Sequence, residues 1–398
     1  MSPAPSPSTE SAHRLRARIH SVPATLRAAL DVLTQASNEL RPLGSADGPV
    51  WVTGGGMSEG PARYLVALLT ARGVLAEYVP LSEFVATEIA GSQAVGPSAH
   101  RAGTLVLFSQ GLAPNARFPL LHTQRFRRSI LLTSVTPTQK QTAGQPGTAD
   151  FAAAAQARGV QVLTLPPPEE EGLLLRVVGP AVQALAAAWL AGVLWADLQR
   201  VPSVYTDVLD PDLPPDLCLR VGDDLPPVAL IASGRYASAC FGLRWKLLEG
   251  LQLPDPPIWD LLQVAHGPLQ SIWQRPQTLV LLTRAAAPHE AALQAALMQV
   301  FQPPRHRVLS LAAHALPGLL AYFEHDAQLN RLVHAALESD SPRSPAIDLI
   351  DWPGRGFDGP LYGYAPTSAD LLHVEQASDP PRDTRPAVRS DPDAQGSR

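Results

Sequence analysis

A glycine-rich turn near the start of the chain has the residue types needed to hold a small ligand. Gly54, Gly55, Gly56 and Ser58 follow the apolar run 50–53 and precede a helical pattern. Glycine lets a ligand approach the backbone closely, and the free N–H groups at the start of the next helix can bind an anion. A tight turn alone also requires glycine. Ligand contact at these four residues is therefore a hypothesis, with simple turn geometry as its alternative.

The same arrangement recurs about one domain length later. Ser233, Gly234 and Arg235 follow the apolar run 228–232 and again precede a helical pattern. Two copies of one strand–turn–helix unit in one chain indicate a duplicated α/β fold. We therefore include these three residues among the predicted ligand contacts.

A third polar turn follows the apolar run 104–108. Ser109 and Gln110 stand at the end of this predicted strand, and Asn115 and Arg117 follow within the next turn and helix. A hydroxyl, an amide and a guanidinium could together bind a polar ligand, with Arg117 supplying a charge-assisted contact. The alternative is a polar turn in which Ser109 caps a helix.

Other kinds of chemistry lack their motifs. The eleven histidines show no spacing typical of a zinc site, so we expect no metal, and we expect no cofactor. Serine-hydrolase and P-loop motifs do not occur. Cys218 and Cys240 are the only cysteines, which excludes a disulfide framework. A net charge of −5 without a Lys/Arg run argues against a nucleic-acid partner.

The apolar pattern along the chain alternates between strands and helices. Predicted strands are 49–53, 74–79, 104–108, 129–135 and 160–165, then 227–232, 278–283 and 307–311. Predicted helices are two between about 12 and 43 that separate at 21–23, then 58–72, 82–90, 115–124, 151–158, 173–199, 236–250, a short one at 258–263, 288–301 and 315–337. Short apolar strands alternating with helices indicate parallel sheets covered on both faces. The predicted fold class is α/β, with two tandem doubly wound, flavodoxin-like parallel-sheet domains.

Composition divides the chain into seven parts. These are a disordered tail (1–10), a helical lead-in segment (11–48), a first domain (49–200), a Pro/Asp-rich linker (201–226), a second domain (227–345), a loop segment (346–374) and a disordered tail (375–398). The long apolar stretch 178–194 contains Gly179, Pro180 and Gln183, which is typical of a buried helix and not of a membrane span. Without a secretion-signal pattern at the N-terminus, we expect a cytoplasmic protein with no membrane contact.

The order of these features resembles the sugar isomerase (SIS) domain. Its repetition is similar to the isomerase half of glucosamine-6-phosphate synthase and to fructosamine-phosphate deglycases, over about residues 12–345. The segment 81–84 (Leu-Ser-Glu-Phe) resembles that family's Ala-Ser-Glu-Phe. Lys246-Leu-Leu-Glu249 resembles its Lys-Leu-Lys-Glu, and 265–269 (Ala-His-Gly-Pro-Leu) resembles its Lys-His-Gly-Pro-Leu.

The resemblance implies roles for two residues and one kind of partner. Glu249 matches the family's proton-transfer base, and His266 matches the residue that opens the sugar ring, in that family within a neighbouring subunit's site. It further implies a homodimer and a small-molecule sugar derivative as ligand, held by the loops 54–58 and 109–117.

Several hydroxyl groups of the family pattern are missing. Gly55 and Gly56 stand where the family has Thr and Ser, and Gly111 and Pro114 replace a later Ser and Thr. Each hydroxyl that hydrogen-bonds a phosphate oxygen contributes about 0.5–1.5 kcal/mol to binding. Their loss leaves open an unphosphorylated or differently charged ligand. Arg117 or Arg176 could supply a charge-assisted contact to such a ligand.

Two functions follow as hypotheses from the sequence. The first is a sugar or aminosugar isomerase or deglycase that acts by enediol proton transfer, favoured by Glu249 and His266. The second is a non-catalytic, regulatory or binding SIS protein for a carbohydrate derivative, favoured by the missing hydroxyls. Loss of turnover in Glu249→Ala with ligand affinity retained would distinguish the first from the second.

Overall fold

Five parallel strands form the first sheet in the computed structural model. They are β1 (Val50–Gly54), β2 (Ala76–Tyr78), β3 (Thr104–Phe108), β4 (Arg128–Thr133) and β5 (Gln161–Thr164), in the order β2-β1-β3-β4-β5. The structure describes residues 7–89, 103–137, 148–168, 170, 172–211, 219, 227–273, 275–285, 288–338 and 371. All five residues of β3 are buried, as expected for a central strand covered on both faces.

The helices of the first half surround this sheet and one central helix. They are α1 (Pro7–Ala36), α2 (Glu59–Ala71), α3 (Leu81–Ile89), α4 (Phe118–Leu121), α5 (Thr148–Ala157), α6 (Val178–Leu190) and α7 (Trp195–Leu209). Every residue of the alanine-rich α6 is buried. Small side chains let α1 and α2 pack closely against it, so its N-terminus is a fixed point of the fold.

Four parallel strands form the second sheet. They are β6 (Val228–Ala232), β7 (Ile258–Asp260), β8 (Gln277–Arg284) and β9 (His306–Ala313), in the order β7-β6-β8-β9. The helices are α8 (Arg235–Ala239), α9 (Arg244–Leu251), α10 (Pro268–Ile272), α11 (Pro288–Val300) and α12 (Tyr322–Glu338). Both sheets are parallel throughout, which confirms the predicted doubly wound α/β class.

The two halves share one apolar core. A Cβ placed on Gly60 of α2 would lie 2.8 Å from the Gly242 Cα, so the backbones of the two strand–turn–helix units are in direct contact. Beside this contact, the Tyr64 and Tyr322 rings stack at 4.6 Å between centroids. Residues from both sheets belong to the same buried cluster.

Three predicted helices differ in the structure. The segment 258–263, predicted as a short helix, begins as strand β7, in which Ile258 and Trp259 pair with β6 at the sheet edge. Sequence periodicity cannot separate a three-residue strand from a helical turn. The predicted helix 173–199 is two helices, because Gly192 takes φ +70° just beyond α6. The predicted helix 236–250 is divided into α8, a 3₁₀ turn and α9.

The N-terminal lead-in is one continuous helix, although two were predicted. Pro23 lies inside α1 and removes one backbone donor. Buried leucines and other apolar residues at helical spacing, from Leu15 to Leu33, pack this helix onto the core and offset that loss. α1 starts at Pro7, within the predicted tail 1–10, and α7 extends to Leu209, within the predicted linker 201–226.

The C-terminal part of the chain is described at a single residue. Leu371 is fully buried against the first half, in a cluster that includes Phe84, Leu105 and Phe151. The remaining residues of the predicted segment 346–374 and the tail 375–398 lie outside the described residues. Among the helices that the structure describes, none is long and apolar enough to cross a membrane.

Candidate functional site

The first sheet has its topological switch point between β1 and β3. From β1 the chain continues to β2 on one side, and β3 then begins the run of strands on the other side. Ligands of open parallel sheets bind beyond the carboxyl ends of the strands at such a point. The carboxyl ends of β1 and β3 carry the loops 54–58 and 109–117, so the fold brings these two predicted loops together.

The glycines of the first turn serve the turn itself and one neighbouring side chain. A Cβ on Gly54 would lie 2.5 Å from the Ser58 carbonyl oxygen, and one on Gly55 would lie 2.6 Å from Leu81 Cδ1. Gly56 has φ +54° and open space around the position of a Cβ. Leu81 therefore occupies the space above Gly55, and Gly56 presents the accessible backbone of the turn.

Ser58 links this turn to α6. Its hydroxyl donates to Gln183 Oε1 at 2.9 Å, and both side chains are buried. Ser58 thus positions the turn, and its predicted contact with a ligand remains untested.

The second loop presents Gln110 to the same helix. Gln110 Nε2 donates to Glu170 Oε2 at 3.1 Å, at the start of α6. Ser109 is buried, and its N–H donates to the Leu132 carbonyl at 3.0 Å. Asn115 lies exposed in a 3₁₀ turn at 114–117.

Arg117 lies inside the protein. It is 7% exposed, its Nε donates to the Leu112 carbonyl at 3.1 Å, and its guanidinium lies over the Phe151 ring. The buried Arg117 side chain therefore stabilises the 109–117 loop from the protein interior. The predicted contact between Arg117 and a ligand therefore has no support in this geometry.

Glu170 is a site residue that sequence reasoning missed. Its carboxylate is 1% exposed and accepts the N–H groups of Val177 and Val178 at 2.5 and 2.6 Å and of Gly179 at 3.3 Å. These N–H groups form the start of α6, where the helix dipole favours an anion. The available signal was the run of three glutamates at 169–171, a few residues before the alanine-rich helix.

Glu249 approaches this region from the second half. Gly250 next to it packs against Leu175, and the charges that act on Glu249 are those of Arg176, Glu170 and Lys246. Glu249 Oε2 is buried, and within the described residues it has no hydrogen-bond partner. Burial is the main cause that raises the pKa of Glu249 to about 8, and the nearby carboxylate of Glu170 adds to it.

Lys246 does not neutralise Glu249, because it has its own partners. Its ammonium lies 3.0 Å from Asp326 Oδ1 and donates to Asn330 Oδ1 at 2.7 Å, and all three side chains are buried. The Tyr205 hydroxyl donates to the other oxygen of Asp326 at 2.7 Å. This network fixes α9 against α12, and with it the backbone that carries Glu249.

Comparison with known proteins identifies the fold. No protein-family profile and no curated sequence matches the chain. A candidate phosphosugar isomerase from Silicibacter pomeroyi DSS-3 superposes with a TM-score of 0.63 at 16% identity, over 83% of this chain and 99% of that one. The C-terminal domain of glucosamine-fructose-6-phosphate aminotransferase from Francisella tularensis gives 0.54 at 14% identity, over 81% and 95%. Tagatose-6-phosphate ketose/aldose isomerase from Escherichia coli gives 0.52 at 15% identity, over 85% and 95%.

The chain has the double-SIS fold. The resemblance inferred from the sequence is thereby confirmed at the level of the fold. At these identities the comparison extends to architecture alone, so the roles of individual residues depend on the geometry of this chain.

In this double-SIS chain the second glycine turn hydrogen-bonds a carboxylate from elsewhere in the same chain. The Gly234 N–H donates to Asp260 Oδ2 at 2.6 Å, and Asp260 Oδ1 accepts the N–H groups of Leu262 and Gln263. Arg235 donates to the Thr70 carbonyl at 3.3 Å, and Ser233 is partly exposed. The predicted contacts of Ser233, Gly234 and Arg235 with a ligand therefore compete with internal bonds.

His266 lies apart from the first switch point in sequence and in its contacts. It is exposed, after a 3₁₀ turn at 263–265 that follows β7, and within the described residues its ring has no hydrogen bond or ion pair. The fold brings Gln110 and Ser58 to α6 and Glu249 near Glu170, but no contact in the described part of the chain joins His266 to them. The same part holds no cluster of three metal-ligating side chains.

Proposed function

We propose that this protein is a sugar or aminosugar isomerase or deglycase that works by enediol proton transfer, with Glu249 as the base. The observation that carries the proposal is the Glu249 carboxyl group, which has a buried oxygen without a partner and a pKa of about 8. A pKa near the working pH is what efficient general acid–base catalysis requires. Such groups are concentrated at functional sites.

The proposed reaction needs only one proton carrier between two carbon atoms. The Glu249 carboxylate takes the proton from C2 of an open-chain aldose, and the C2–H electrons form the C1=C2 bond of an enediol as O1 gains a proton. The protonated Glu249 then returns a proton to C1, while O2 loses its proton and a ketose forms. Partial burial suits both steps, because it brings the two protonation states of Glu249 close in energy.

The ligand would lie at the first switch point. Gly56 offers accessible backbone, and Ser58, Ser109 and Gln110 stand around the start of α6. His266 would open the sugar ring from another copy of the chain. Its exposed ring supports that arrangement, and a homodimer is part of the proposal.

A non-catalytic binding protein for a carbohydrate derivative is the second candidate. It is favoured by Leu81, which fills the space next to Gly55 in the first loop. In this case Glu249 would hydrogen-bond a sugar hydroxyl without removing a proton from carbon.

Proton NMR in D₂O distinguishes the two candidates. Wild-type protein and Glu249→Gln are incubated with a panel of aldoses and ketoses, and deuterium at C2 of the aldose is measured. Exchange in the wild type that is lost in Glu249→Gln is the expected result. Ligand binding without exchange in the wild type would instead establish the binding protein.

A further inference from the structure

The N–H groups at the start of α6 already bind an anion, the carboxylate of Glu170. We propose that this site takes an unphosphorylated sugar derivative, because the Glu170 carboxylate already occupies the anion-binding N–H groups at the start of α6, beside Gln110 of the second loop. The inference rests on the function proposed above, since it names the substrate class of the same site. Three observations carry it.

The first observation is the binding of Glu170 itself. Its two oxygens accept three backbone N–H groups, from Val177, Val178 and Gly179, and the amide of Gln110. These are the donors that a helix start offers to a phosphate at the carboxyl edge of a sheet. A phosphate on the same donors would have to displace a carboxylate that is 1% exposed and leave it buried without partners.

The second observation is that the cations nearest to the site already have partners within the chain. Pro114 begins the 3₁₀ turn after β3 and has no N–H group. Arg117 donates to the Leu112 carbonyl, Arg176 donates to the Glu170 carbonyl, and Lys246 pairs with Asp326. Each of these three cations already has a partner within the chain.

The third observation is the sign of the charge around Glu249. Glu170 already acts on Glu249 as a like charge, while Arg176 acts on it with the opposite sign and the larger effect. A phosphate bound nearby would add about two negative charges and favour the protonated form of Glu249, which cannot remove a proton. A neutral sugar leaves the charge that acts on Glu249 unchanged. A positively charged amino group on the sugar would favour the carboxylate form of Glu249.

Matched pairs of ligands test the inference on the wild-type protein. Fructose and fructose 6-phosphate form one pair, and glucosamine and glucosamine 6-phosphate form the other, each titrated by saturation-transfer NMR. We expect the free sugar of at least one pair to bind about tenfold or more tightly than its phosphate ester. Tighter binding of the phosphate ester in both pairs would overturn the inference.

The variant Glu170→Gln tests the stated cause. It keeps the size of the side chain and removes the charge, so affinity for the phosphate ester should rise about tenfold relative to affinity for the free sugar. An unchanged ratio between ester and free sugar would contradict the role of Glu170. If the variant does not fold, inorganic phosphate at about 10 mM is tested as a competitor of the free sugar on the wild type, and displacement would count against the inference.

C2 exchange, measured in the same samples, separates this inference from the proposed function. Binding of free sugar without exchange would refute the isomerase and leave the substrate class standing. Exchange with the phosphate esters but not with the free sugars would support the isomerase and overturn the substrate class. Failure of both pairs to bind would contradict both.

Discussion

The titration of Glu249 has a direct consequence for stability. In the folded chain its pKa is about 8, against an ordinary value of 4.5, so folding favours the protonated form. A group with a raised pKa contributes stability that is present below pH 4.5 and is lost as the pH rises through 8. The variant Glu249→Gln cannot ionise, and therefore should not lose that stability.

The size of the effect follows from the difference between the two pKa values. A pKa of about 8 in place of 4.5 corresponds to at most about 5 kcal/mol, at about 1.4 kcal/mol per pKa unit. Since the Glu249 side chain is largely buried, we expect a substantial part of this difference, about 2–5 kcal/mol. Glu249→Gln should match the wild type within about 0.5 kcal/mol near pH 4 and exceed it by about 2–5 kcal/mol near pH 9.

Urea unfolding at the two pH values measures the difference through the transition midpoint. Glu77→Gln is the matched control, because it makes the same chemical change at an exposed position on β2. A Glu249→Gln variant that gains no more stability than Glu77→Gln near pH 9 would refute the assignment of a raised pKa, and with it the main support for Glu249 as the base.

Three substitutions test the packing that holds the site. Gly60→Ala should cost about 1–3 kcal/mol, because its Cβ would meet the Gly242 backbone, where the two halves touch. Lys246→Met should cost about 3–5 kcal/mol in urea unfolding, because it leaves Asp326 charged and buried without its cation. Leu371→Ala should cost about 2–5 kcal/mol by the same measurement, since Leu371 is fully buried on the first half.

Each of these substitutions has a control. Gly44→Ala adds a Cβ in open space and should change stability by less than about 0.5 kcal/mol. Lys246→Met combined with Asp326→Leu should recover most of the loss, because no charge remains unpaired. Leu75→Ala removes a side chain that is 71% exposed and should be nearly neutral. Equal losses in variant and control would show that the named contact is not the cause.

The architecture could be predicted because it depends on patterns that are local in sequence. The apolar runs that became β1, β3, β6 and β8, with a polar or glycine-containing turn after each of the first three, define two parallel sheets without further information. Strand β7 could not be predicted in this way, because three residues show no periodicity and gain their pairing only from β6.

The site could be predicted only in part, because its electrostatics depend on distant residues. Glu249 was found through a motif, but its raised pKa comes mainly from burial in the folded chain, with a smaller contribution from Glu170, which is far away in sequence. The capping role of Glu170 appears only when a buried helix starts beside it. Arg117 has the right type and spacing for a ligand contact, yet the chain folds it inward onto Phe151.

The central claim is that Glu249 moves a proton at a sugar carbon. The most direct measurement is the rate of C2 deuterium exchange in D₂O from about pH 6 to pH 9, in the wild type and in Glu249→Gln. The account predicts a rate that rises about tenfold per pH unit, levels off above about pH 8, and is absent in the variant. Exchange that persists in Glu249→Gln with the wild-type pH profile would contradict it.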